Sequence, residues 1–148
     1  MRSAMQLVER ETDFISDLLS LLKEFTTTRR RILMQNIRRV HQNDHIPCDL
    51  AVKDFSNILN EAITEYLLNQ RLILRDTDAI HFGPSATVDL TPVRDDKAKQ
   101  LLMQSKADYI GYQCQRLTEN SMNEKMACKL MQLRQGYGHQ SNNVSPHS

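Results

Sequence analysis

Glycine is scarce in this chain, 4 of 148 residues, and proline numbers only 4. A sandwich or barrel needs many tight turns, which such a sequence cannot supply, so long helices are the expected architecture. The same shortage weighs against nucleotide-binding folds, whose glycines let the backbone approach a phosphate closely. No apolar run approaches the ~20 residues of a membrane span. The longest candidate, 18–22, is interrupted at Ser20 and followed by Lys23 and Glu24. The N-terminus lacks the basic start, apolar centre and small-residue cleavage site of a secretory signal. Cysteine is rare and odd in number, 3, with none of the spacing of a disulfide framework. On one continuous helix Cys114 and Cys128 would stand about 21 Å apart, beyond the reach of a disulfide. Synthesis in a reducing cytoplasm is the expectation, with a signal-independent export route left open.

Excess charge of either sign is missing too. Lys and Arg total 19 against 18 Asp and Glu, which argues against a histone-like polyelectrolyte and against an acidic disordered tail. A length of 148 residues suits a single domain. We expect that domain over 1–138, elongated and helical, with a variable middle at 71–90 and a disordered polar tail at 139–148.

What is present is helical periodicity. Over 7–41 the apolar positions Ile15, Leu18, Leu22, Phe25, Ile32 and Val40 recur near a three-and-four alternation, interrupted by Arg29 and Asn36. Thr12 and Asp13 are candidate caps for this helix. Its charge is graded, with five acids and two bases over 9–24, then five arginines (Arg29, Arg30, Arg31, Arg38, Arg39) and no acid over 25–41. That order complements the helix dipole. Residues 41–48 read as a connector and Asp49 as the cap of a second helix, with a broad apolar stripe from Leu50 to Leu67. Over 71–90 the period shortens, and a hairpin around Asp76-Thr77-Asp78 is expected, with a further extended run at 86–90 and a break at Gly83-Pro84-Ser85. Thr91-Pro92 then opens a long last helix, bent near Asn120-Ser121 and ending near Gly136.

The chemistry these residues could carry is thin. His41, His45 and Cys48 are three potential metal ligands within eight residues, but no fourth stands at finger-like spacing. A polar connector explains them as well. Cys48 and His45 could form a nucleophilic pair only if the fold brings them together. There is no nucleophile elbow and no phosphate-cradling loop. No enzyme and no cofactor are expected. The arginines at 29–31 and 38–39 could meet phosphates, yet 41–48 is long for a helix-turn-helix turn. The methionines of the last helix read as adaptable packing.

Two segments near opposite ends carry a resemblance. The first, 29–63, reads RRRILMQNIRR…CDLAVKDFSNILNEAI and holds Asn36-Ile37 and Asp49-Leu50. The second, 117–138, reads LTENSMNEKMACKLMQLRQGYG and holds Asn120, Ser121, Met122, Leu130 and Leu133. They resemble the flagellar basal-body rod and hook proteins, most closely the family of the short proximal rod protein, rod protein B. In place of that family's turn of small residues and Thr-Pro-Gly-Tyr, this chain has RRVHQNDHI.

The resemblance implies a mainly α protein whose long N- and C-terminal helices pair as a coiled coil or bundle around a short, hairpin-containing middle. It implies a structural subunit of the rod in the bacterial flagellar basal body, exported by the type III apparatus without a cleaved signal. Its partners would be other rod subunits, in homo- and hetero-oligomeric contacts, and the export apparatus. Phe25, Ile32, Leu33 and Ile37 would pack against Leu117, Leu130, Met131 and Leu133, while Asn36, Asp49 and Asn120 carry over as motif positions. Two alternatives stay open: a cytoplasmic, all-helical DNA-binding regulator using the five arginines, and a helical adaptor or chaperone.

Overall fold

A computed structural model describes the backbone of residues 4–42 and 44–142, and side chains within 13–133. Among the described residues there are four helices and four short strands: α1 (Ala4–Arg38), β1 (Cys48–Asp49), α2 (Val52–Asn69), β2 (Ile80–Gly83), β3 (Thr87–Leu90), β4 (Val93–Arg94), α3 (Asp96–Gln104) and α4 (Lys106–Asn142). The chain is mainly helical, with small antiparallel two-stranded pairings β1–β4 and β2–β3. No helix among the described residues is long and apolar enough to cross a membrane.

The fold is organised around α1, which lies between two antiparallel neighbours. Towards α2, aromatic rings set the spacing. Phe14 stacks on Tyr66 with centroids 3.9 Å apart, and Phe25 stacks on Phe55 at 4.1 Å. Towards α4 the contacts are hydrogen-bonded, Asn36 meeting Gln113 and Thr26 meeting Asn120. The main core gathers Leu21, Phe25, Leu50, Phe55, Ile58, Ala79 and Ile80 under the β2–β3 hairpin. Each fully buried aliphatic side chain there, such as Ile58, contributes roughly 1.5–3 kcal/mol. A second cluster of Val40, Ala98 and Tyr109 fastens α3 to the end of α1.

Several boundaries differ from the sequence expectation. Helix α1 begins at Ala4, so Thr12 and Asp13 lie inside it rather than capping it. Asp49 does not cap α2, whose N-cap is Ala51 without a side-chain bond. Two arginines claim that carboxylate instead, an attraction stronger than a neutral cap bond. At the expected Asp76-Thr77-Asp78 the chain does turn tightly, Thr77 and Ile80 exchanging backbone bonds at 2.8 and 3.4 Å, but the reversal of the β2–β3 hairpin falls at 84–86, after Gly83. The reversal places Ser85 and Ala86 at φ of 59° and 54°.

Thr91-Pro92 does not open a helix. Residues 93–94 are drawn into the ladder with β1, and Asp95 caps α3 by accepting from the Ala98 N–H at 3.1 Å. The expected single last helix breaks at Ser105, whose Oγ accepts the Asp108 N–H, and runs unbroken through Asn120-Ser121. It continues past Gly136 to Asn142, while 143–148 lie outside the described residues, as does Asn43 of the connector.

Candidate functional site

The contact between α1 and α4 holds most of the buried polar side chains. Asn36, 2% exposed, treats Cys48 as a strand would. Its Nδ2 donates to the Cys48 carbonyl at 2.7 Å, and its Oδ1 accepts the Cys48 N–H at 3.3 Å. The same Nδ2 donates to Gln113 Oε1 at 3.2 Å, and the Tyr109 hydroxyl donates to the Asn36 carbonyl at 2.9 Å. One helical residue therefore fastens the connector and the last helix together. Further along, Asn120 Nδ2 donates to the Thr26 carbonyl at 2.7 Å.

A charged cluster adjoins this seam. Asp49 receives Arg29 through two bonds, Nε to Oδ1 at 2.9 Å and Nη2 to Oδ2 at 3.0 Å. Arg116 from α4 adds a third at 2.7 Å. The Arg116 guanidinium also lies over the Tyr112 ring, 4.4 Å from its centroid, while the Tyr112 hydroxyl donates to Asp95. Burial, reinforced by Asp95 and Cys48, pushes the Tyr109 hydroxyl up to about 12. Burial and then Asp95 also raise that of Tyr112. Both phenols stay protonated donors at any physiological pH. The cluster ties α1, the connector and α4 together through charge-assisted bonds.

Of the motif positions, Asn36 and Asp49 thus tie the connector to α1 and α4, and Asn120 ties α4 to α1 further along, while Ile37 is half-buried and Leu50 lies in the core. The expected terminal packing is different in composition. Phe25 turns to Phe55 on α2 and not to α4, and Ile32 packs on that same core. Leu33 is fully buried, and Leu117 and Met131 are half-buried. Leu130 and Leu133 are 43% and 60% exposed, so neither is buried in the seam between the terminal helices. The physical reason is that α4 turns a face of Tyr109, Gln113, Asn120 and Ala127 inward, all 1% exposed or less. These share a three-and-four spacing that the sequence carries, but their mixed polarity hides it from a search for apolar periodicity.

The five arginines divide. Arg29 is buried on Asp49 and is removed from any phosphate-binding role by that pairing. Arg30 lies 3.6 Å from Glu124 of α4. Arg31, Arg38 and Arg39 are exposed. Among the described residues no three His, Cys, Asp or Glu side chains converge as a metal site. His41 is exposed, His45 is buried with Nε2 unpartnered, and Cys48 Sγ faces the Ile46 carbonyl at 3.5 Å. Burial, with Arg39 and Lys99 adding to it against Asp44, lowers the His45 pKa.

One surface stands out in the other direction. Met122, Met126, Leu130 and Leu133 are 67%, 63%, 43% and 60% exposed along α4. Beside them a groove of about 270 Å³ opens between α1, α2 and α4, floored by Leu22, Phe25 and Phe55 and edged by Leu59, Ile63 and Asn123. Comparison of the chain with known protein families, curated proteins and solved structures finds no match.

Proposed function

We propose that this chain is a structural subunit that assembles through its paired terminal helices, of the kind found in the rod of the flagellar basal body. The observation that carries this reading is the uncovered apolar stripe on α4, on a helix already held in place by α1. A monomer seldom leaves so many large apolar side chains exposed on one helix without a partner for them. In support, the positions on which the resemblance to the rod family rests, Asn36, Asp49 and Asn120, are those that lock the two terminal helices and the connector. Coiled-coil pairing with neighbouring subunits would bury the stripe in a heterologous, helical assembly.

The DNA-binding alternative keeps four exposed arginines of the five, one of them 3.6 Å from Glu124, and among the described residues no second helix is joined to theirs by a short turn. The test is deletion of the gene in its own host. Non-motile cells whose membrane rings lack a rod, rescued by the whole chain but not by one ending before α4, are expected. Normal motility and normal rods would overturn the reading.

A further inference from the structure

The exposed stripe of α4 has an internal symmetry that its sequence spells out. Counting from Glu124, Met122 and Met126 lie two residues to either side, and Glu119 and Lys129 lie five to either side. At 100° per residue these four side chains share an arc of about 80°. The inward face of Tyr109, Gln113, Asn120 and Ala127 is centred more than 90° away round the same helix. Glu124, at the centre, points elsewhere, toward Arg30 of α1. Among the described residues neither Glu119 nor Lys129 has an ion-pair partner, and both are exposed.

A helix with such a pattern is complementary to itself when reversed. Laid antiparallel about a two-fold axis through position 124, each Met122 meets Met126 of the second copy. Each Glu119 then meets Lys129 of the second copy, once at each end. The same register sets Leu130 against Thr118 and Leu133 against Gln115, so no like charges face one another along 115–133, a span of about 27 Å. Methionine suits such a seam because its flexible thioether fills an imperfectly shaped contact.

We propose that two copies of this chain pair through antiparallel α4 helices, Met122 on Met126 at the centre and Glu119 with Lys129 at both ends. The occupant of the stripe in the free protein is thus a second copy. The pair is isologous and closes on itself, unlike the open contacts of a rod, which would have to displace it. One helix pair of this length covers less than the ~800 Å² per partner of a standard interface, so the dimer is weak and reversible. The inference deepens the assembly reading by naming what covers the same surface before assembly.

Sedimentation equilibrium of the purified full chain tests it. A monomer–dimer equilibrium is expected, sensitive to salt. Glu119→Lys and Lys129→Glu should each weaken it about tenfold, since each turns two attractive end contacts into repulsive ones. The two exchanges combined should restore it, because the end pairs re-form with their signs reversed. This restoration cannot be imitated by misfolding. Met126→Lys should give a monomer with unchanged helical circular dichroism. A chain that stays monomeric at all concentrations would overturn the proposal, and so would a combined exchange no better than the single ones. A dimer that survives Met126→Lys but is lost with Leu67→Lys would place the second copy on α2 and also overturn it. A monomeric chain together with a rod defect on gene deletion removes this proposal alone and leaves the assembly reading standing.

Discussion

Arg29 and Asp49 meet as a planar fork, Nε on Oδ1 at 2.9 Å and Nη2 on Oδ2 at 3.0 Å, with both side chains less than a tenth exposed. Asp49 reaches further, its Oδ1 accepting the Leu50 N–H at 2.7 Å and its Oδ2 taking Arg116. A buried pair of this kind contributes little over an apolar replacement, but removing one partner strands the other charge. Asp49→Asn should therefore lower the unfolding free energy by about 3–5 kcal/mol in urea titration. Arg29→Met combined with Asp49→Leu should lose less than Asp49→Leu alone. If the double variant loses as much, charge stranding is the wrong account.

Asn36 and Asn120 offer a graded comparison. Asn36→Leu leaves the Cys48 N–H and carbonyl and the Gln113 amide without a partner, and should cost at least about 2 kcal/mol. Asn120→Leu frees one carbonyl, that of Thr26, and should cost about 1 kcal/mol. The order of the two urea midpoints is the check; a larger loss at Asn120 would contradict it.

His45 sets a pH dependence. Its folded pKa lies below the ordinary 6.5, chiefly through burial. Above pH 6.5 the imidazole is neutral in both states and adds no pH dependence. Below it the unfolded chain takes up the proton more readily, so stability falls as pH drops from 6.5 toward the folded pKa. Between pH 7.5 and 5.5 the wild-type midpoint should fall more than that of His45→Gln. Equal falls would exclude His45 as the cause.

Ser85 sits at φ 59° in the hairpin reversal, exposed to solvent. A residue with a Cβ is strained there and glycine is not. Ser85→Gly should raise the melting temperature, with a gain of about 0.5–1 kcal/mol. A lower melting temperature would mean that the extra freedom of the unfolded glycine outweighs the relief.

The arginine surface supplies a negative prediction. With Arg29 held by Asp49 and Arg30 near Glu124, only weak and non-specific affinity for duplex DNA is expected. Fluorescence anisotropy at low salt measures it. Tight, salt-dependent binding abolished by Arg31→Ala with Arg38→Ala would favour the regulator instead.

Much of the secondary structure was readable because it depends on neighbours in sequence. Helix α2 shows this best: Phe55, Ile58 and Ala62 recur at helical spacing, and all three are buried. The boundaries were less so. Asp49 has the chemistry of a cap, and nothing local reveals that Arg29 and Arg116 will take it. The break at Ser105 was hidden for a similar reason. The pairing of β1 with β4 shifts the helix start to Asp95, a contact between residues nearly fifty positions apart. Asn36 was marked in the sequence as a polar break in an apolar seam and Asn120 as an expected bend, and neither sign points to the bonds they make. Their partners Cys48, Gln113 and Thr26 carry no local sign of the role.

Scarcity of glycine and the spacing of apolar side chains determined by themselves that this chain is mainly helical, since those preferences act within a few turns of backbone. Only the tertiary structure decided which face of each helix turns inward. On α4 the inward face is the one whose amides and phenol satisfy buried backbone groups of α1 and its connector, and an unmet hydrogen bond there costs more than an exposed methionine. The apolar stripe of Met122, Met126, Leu130 and Leu133 was left outside on that account.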